Sequence, residues 1–156
     1  MDFEVNKEID EVNIIKIKIG VGMKNKIFLL ILFLLSTTIA ILNIYAGRYF
    51  WYWRFWWFDL AMHFMGGIAV ALVLLYFYGV FNLKEKIKLI SLILFSTFTI
   101  AVSWEIMEFL IDANLFGKNY FFDTLTDIFI GLIGALIVFF MSNKIGIVNS
   151  REETNV

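Results

Sequence analysis

The chain has no cysteine, no proline and a single histidine in 156 residues. Without cysteine there is no disulfide framework, no thiolate metal site and no thiol nucleophile, so any bound metal must be held by oxygen and imidazole. Without proline no helix carries a built-in break. Charge is also scarce: Asp, Glu, Lys and Arg make up 17% and the net charge is −1, which excludes a strongly basic nucleic-acid-binding body. The space is filled by apolar residues, 61% hydrophobic and 19% aromatic, well above the roughly half-apolar composition of soluble domains. Such a surface cannot be covered in water. The length allows one compact unit and no second domain of useful size.

Residues 1–26 are mixed and charged, with no apolar run long enough to cross a bilayer. They read as a cytoplasmic, mobile arm, in which the Ile15, Ile17, Ile19 alternation is a short strand-like pattern. Four long apolar runs follow, at about 27–45, 58–81, 87–111 and 122–141, each near the ~20 residues that span ~30 Å of hydrocarbon. The expected fold is therefore all-α, a polytopic membrane protein with a four-transmembrane-helix bundle at 27–141 and a cytoplasmic tail at 142–156. An alternative start at Met23 would make MKNKIFLLILFLLSTTIA resemble a signal peptide, but no small-residue cleavage site follows, which favours an uncleaved anchor. Lys16, Lys18, Lys24, Lys26, Lys84, Lys86, Lys88, Lys144 and Arg151 fall on one side of these spans, against Arg48, Arg54 and Lys118 on the other. The positive-inside rule then puts both termini in the cytoplasm of a cell-membrane protein.

Residues 49–58, YFWYWRFWWF, hold nine aromatics in ten positions and four of the five tryptophans. Their place at the outer end of the second span suits an interfacial belt ahead of a lipid- or cation-binding aromatic box, and Trp104 suits the same belt.

Ionisable groups inside spans cost at least ~2.5 kcal/mol each at mid-helix, so their grouping is informative. The second span opens with Asp59 and His63, four apart, with Gly66 near the same stripe. The third ends with Glu105, Glu108 and Asp112, again one stripe, and the fourth opens with Asp123 and Asp127, followed by Gly131 and Gly134. At 1.5 Å of rise per residue all of these groups lie within about three turns of one face of the membrane. The stripes should turn inward, with Gly66, Gly67, Gly131 and Gly134 letting the backbones close up.

Asp59 and Asp123 sit at helix N-termini, where capping alone accounts for a carboxylate. Glu105, Glu108 and Asp112 sit at a C-terminus, where the helix field disfavours negative charge, so they call for protons, cationic partners or a bound ion. One imidazole among carboxylates suits Mg²⁺, Mn²⁺, Fe²⁺ or Zn²⁺, with Asp59, His63, Glu105, Glu108 and Asp127 as ligands. Glu105, Glu108 and Asp123 are the candidate catalytic groups. The bland alternative has the same residues hydrogen-bonding across the bundle to fix register.

The pattern Asp59-x3-His63-Phe64-x-x-Gly67, then Glu105-x-x-Glu108, then Asp123-Thr124-x-x-Asp127 with Leu132-x-Gly134-Ala135 resembles the YjdF-like multi-pass membrane proteins over 58–136. More weakly, the chain is similar to VanZ-like proteins, departing from them in Asp127, where asparagine is usual, and in lacking an arginine before Asp123. The resemblance implies a membrane location and the choice of polar residues, and names no reaction.

Three functions compete. The first is a metal-dependent enzyme acting on a lipid or lipid-linked head group, with a spare carboxylate as general base. Ser103 lies on the opposite side of its helix from Glu108, so no serine nucleophile rivals it. The second is a proton- or cation-coupled transport component, disfavoured because no acid reaches the inner halves of the spans and four helices make a thin pathway unless the chain forms a homo-oligomer. The third is a non-catalytic module in the lipid bilayer whose acids are structural.

Overall fold

The computed structural model describes residues 2–80, 86–111 and 120–144, with side chains over 26–79, 88–110 and 120–144. The described backbone is almost entirely helical and contains no strand: α1 (Asp2–Tyr49), α2 (Trp51–Arg54), α3 (Phe58–Val80), α4 (Lys86–Ile111) and α5 (Tyr120–Lys144). Four stretches are long and apolar enough to cross a membrane, Lys26–Tyr49, Phe58–Gly79, Lys88–Leu110 and Tyr120–Lys144. A bilayer enforces this outcome, because every backbone N–H and C=O in hydrocarbon must find its partner within the segment.

Contacts divide the chain into two compact units, Met1–Leu34 and Leu35–Val156. In the first, the helix begins at Asp2, so the arm expected at 1–26 joins the first span as continuous helix, and Ile15, Ile17 and Ile19 belong to a helix. No proline interrupts that stretch, and three alternating isoleucines do not outweigh helical continuity. The tail expected at 142–156 begins as the last turn of α5, where the buried Ser142 donates to the Phe139 carbonyl; 145–156, Asp112 and Lys118 lie outside the described residues.

In the second unit α3 makes its most extensive contact with α5, and α4 packs less closely against both. The small residues of α3 and α5 explain the difference. A Cβ built on Gly67 would overlap the Gly131 carbonyl oxygen, and one on Gly134 would overlap the Phe64 carbonyl oxygen. The two backbones touch, a mode of packing that only glycine permits. Gly66 does not share this role, since nothing lies within 4 Å of its missing Cβ; one residue of helix turns it about 100° from the seam that Gly67 occupies. On α4 the buried positions Leu89, Ile93, Thr97, Ala101 and Glu105 recur every fourth residue and form one inward ridge.

The aromatic segment splits between two tasks. Phe50 adopts a left-handed conformation (φ 57°, ψ 37°) at a cost of order 1–3 kcal/mol for a residue with a side chain. That turn lets α2 fold back. Phe58 is buried with Ala46 of α1 and Met62 of α3, and Trp51 and Tyr52 meet it edge-on at 5.5 and 5.2 Å. Trp53, Trp56 and Trp57 stay exposed, as a belt requires. The belt is thus half of the segment, and the other half ties α2 to α3.

Candidate functional site

Each of the three packed helices brings its polar stripe to the same end of the unit. His63 is 9% exposed, Glu105 4% and Asp127 3%, which is deep for groups of this kind. His63 Nε2 stands 3.2 Å from Glu105 Oε1 and 3.7 Å from Asp59 Oδ1. Although the first of these is within hydrogen-bonding range, neither His63 Nε2 nor Glu105 Oε1 makes an aligned hydrogen bond. They face each other at ion-pair distance without that bond.

The candidate ligand atoms form three overlapping sets: His63, Glu105 and Asp127; Asp59, His63 and Glu108; and Asp59, Asp123 and Asp127. Within each set the atoms lie no more than 4.8 Å apart. Two ligands at about 2.1 Å from one ion, subtending about 100°, are separated by about 3.2 Å, which is the spacing of His63 Nε2 and Glu105 Oε1. All six candidate residues other than Asp112 therefore come together, Asp123 as the exposed member at the rim.

The carboxylates are positioned by groups around them. Thr124 Oγ1 donates to Glu105 Oε2 at 2.7 Å, which leaves Oε1 to face His63. Tyr120 OH donates to the Glu105 backbone carbonyl at 2.7 Å, and Trp104 Nε1 donates to Glu108 Oε1 at 2.8 Å. Such outer contacts are what orient metal ligands. Tyr52 OH donates to Asn43 Oδ1 at 2.8 Å; its phenol is held well above the ordinary range, first by burial and then by the charges of Asp59 and Glu108. Ser103 donates to the Thr99 carbonyl from an exposed position and takes no part.

Above the cluster opens a cavity of about 460 Å³ whose walls include Asn43, Tyr52, Trp53, Trp104, Tyr120 and the five carboxylates of Asp59, Glu105, Glu108, Asp123 and Asp127. No Lys or Arg lines it among the described residues.

The family model described as "Predicted membrane protein (DUF2238)" matches residues 14–145. The chain belongs to this family. The match takes in all four spans and every candidate ligand, and the YjdF-like proteins are members of DUF2238. No curated protein and no solved structure matches the chain.

In this DUF2238 chain the residues that support the acids carry little sequence signal of that role. Tyr120, Thr124, Asp127, Gly131 and Gly134 fall at intervals of four, three, four and three, so Thr124 shared the stripe of Asp127 and was open to discovery. Trp104 was assigned to the belt; being one residue from Glu105 and four from Glu108, it reaches the acids through its indole N–H. Asn43 gave no signal, because its partner Tyr52 is reached only through the turn at Phe50.

Proposed function

We propose that this protein is a membrane-embedded, metal-dependent enzyme acting on a lipid or lipid-linked head group at the outer leaflet of the cell membrane, with both termini in the cytoplasm. The observation that carries the reading is the pair His63 Nε2 and Glu105 Oε1, both buried, 3.2 Å apart and without an aligned hydrogen bond. A buried, unmade hydrogen bond costs ~1–3 kcal/mol per group, and a divalent ion would satisfy both atoms at once. His63, Glu105 and Asp127 would hold such an ion, together with Asp59 and Glu108 beside them. A bound ion of this kind supplies Lewis-acid polarisation of a phosphoryl or carbonyl oxygen and acidifies water. Asp123, at the exposed rim, would act as general base toward water and exchange its proton with solvent. Glu105 and Glu108 hold their orientation through Thr124 and Trp104. The positive-inside distribution of Lys and Arg supports the orientation.

Elemental analysis of detergent-purified wild type, His63→Asn and Glu105→Gln, with thermal unfolding in parallel, tests this reading. About one equivalent of a divalent ion in the wild type, lost from both variants while they remain folded, is the expected result. A wild type that holds no metal and gains no stability from added Mg²⁺, Mn²⁺ or Zn²⁺ would overturn it. The bonds from Thr124 and Tyr120 to Glu105, which tie α5 to α4, would then favour a structural role for the acids.

A further inference from the structure

Beneath the acid-lined cavity lies a second, apolar space of about 130 Å³, bordered by His63, Gly66, Gly67, Thr97, Ile100 and Trp104 among others. On the scale where one water needs ~10–15 Å³, this is room for about ten waters, and its walls are almost wholly hydrocarbon. Trp104 borders both spaces, and His63 borders the lower one while its Nε2 faces Asp59 and Glu105 of the upper. The crevice is not sealed from the bilayer: Ile100 in its wall is 53% exposed. Gly66 keeps it open, since a side chain there would meet nothing for 4 Å and would grow into the crevice.

Away from His63 and Trp104, which also border the acid-lined cavity or its cluster, the polar side chain in this wall is Thr97. Thr97 is 2% exposed and its Oγ1 has no hydrogen-bond partner. Thr99, Ser103 and Thr126 show the ordinary solution for a helical hydroxyl, each donating to the carbonyl four residues earlier. Thr97 forgoes that bond. Threonine in a helix has two accessible χ1 rotamers, so the hydroxyl can swing to a ligand in the crevice. Eight residues of helix separate Thr97 from Glu105, about 12 Å along α4. The polar layer of one leaflet is ~5–8 Å thick, so with the head at the depth of Glu105 the ester groups stop about 4–7 Å above Thr97, and an ester meets the hydroxyl when the head settles that much deeper, at the mouth of the crevice.

We infer that the molecule presented to the cluster is an ester-linked acyl lipid, with its head group beneath the acids at the mouth of the crevice, one acyl chain entering past Gly66, and an ester carbonyl accepting from Thr97. This deepens the proposal above by naming its substrate class: a polyprenyl-linked head group has no carbonyl to offer at that depth. Depth in the bilayer, the opening beside Ile100 and continuity with the polar cavity all fit one lipid better than a peptide or a second copy of the chain.

The test is lipid binding counted by native mass spectrometry, with a short-chain diacyl phosphatidylethanolamine, its diether analogue and a polyprenyl phosphate as probes. Wild type should prefer the diester over the diether by about three- to tenfold, the range of one neutral hydrogen bond. Thr97→Val should bring diester binding down to the diether level and leave the diether unchanged, whereas Thr97→Ser keeps the preference. Gly66→Leu should weaken both lipids more than tenfold. Thr97→Val removes an unpaired hydroxyl at constant shape, so it folds at least as well as wild type. Equal binding of the diester and diether by wild type, a preference that survives Thr97→Val, or tighter binding of the polyprenyl phosphate would each overturn the inference. The elemental analysis separates the two proposals: ester preference in a protein that holds no ion as purified and gains no stability from added Mg²⁺, Mn²⁺ or Zn²⁺ sinks only the metal reading, and a bound ion without ester preference sinks only this one.

Discussion

The α3–α5 seam and the α4 side of the same unit are built by opposite means. Along the seam Gly67, Gly131 and Gly134 bring backbone onto backbone, and no side chain has to be ordered to close it. The α4 span, Lys86–Ile111, contains no glycine. It is joined to α5 near its C-terminal end through Thr124 and Tyr120, and both cavities lie against it. The seam fixes four of the acid-cluster residues, Asp59 and His63 on α3 with Asp123 and Asp127 on α5, as a rigid half-site. Glu105 and Glu108 arrive on the looser helix. Under the proposed lipid reading, entry requires backbones kept apart, so close packing at the seam and open space beside α4 would be two requirements of one site.

Breaking the seam should have the largest effect. Gly67→Ala and Gly134→Ala each place a methyl group on a carbonyl oxygen that belongs to backbone and cannot turn aside. The cost should reach the upper end of overpacking, about 3 kcal/mol or more, read as loss of folded protein in detergent or a large drop in midpoint temperature. Gly66→Ala is the control on the other side of α3, with open space around it, and should leave stability within about 1 kcal/mol. Helix propensity alone favours alanine over glycine, so a gain of about 1 kcal/mol in all three variants would mean that no close seam exists.

The half-site on α4 is probed next by the ion itself. With Mn²⁺ at a hundredfold its dissociation constant, wild type should gain about 2.7 kcal/mol of stability. Glu105→Gln keeps the side-chain shape and an oxygen for Thr124 but loses the ionic ligand, and should gain nothing. A gain of the same size in both proteins would place the ion elsewhere. Below this comes the support for that ligand: Thr124→Val leaves Glu105 Oε2 buried without its donor and should cost about 1–3 kcal/mol. Its telling consequence is weaker metal binding, since Glu105 is then free to turn; unchanged affinity would show that Thr124 does not orient it.

The contrast between the two sides also explains how much the sequence could reveal. All four spans and the grouping of the described acids are legible from hydropathy and the repeat of three and four, because a span has a fixed length and buried ionisable groups must share a face. The seam was only partly legible. Gly66 and Gly67 are adjacent and indistinguishable in composition, and only the rotation of α3 against α5 decides which one meets a backbone. The same rotation hides the crevice: Thr97 reads as an ordinary helical threonine until Ala101 and Ile93 place it on the buried ridge of α4. The arm at 1–26 misleads for another reason. Hydropathy tells where a chain can cross a membrane and not where a helix stops, and here α1 runs from Asp2 through the first span.

The smallest effect belongs to the rim, at Tyr52, and its pH dependence separates it from the seam. In the folded protein Tyr52 keeps its proton above the ordinary range, because burial and the neighbouring Asp59 and Glu108 disfavour a phenolate, and its hydroxyl donates to Asn43. Unfolded tyrosine ionises near pH 10. Above that pH the unfolded chain binds fewer protons than the folded one, so stability falls as pH rises, by up to about 1.4 kcal/mol per unit from this one group. Below about pH 9 the group contributes no slope. Tyr52→Phe should lose about 0.5–1.5 kcal/mol at neutral pH with the Asn43 bond and show a shallower decline between pH 10 and 11.5 than wild type. Gly67→Ala, where it folds, should lower the whole curve and keep the wild-type slope. A Tyr52→Phe curve parallel to wild type through that range would mean that the phenol faces water, and that α2 does not close over the acid-lined cavity.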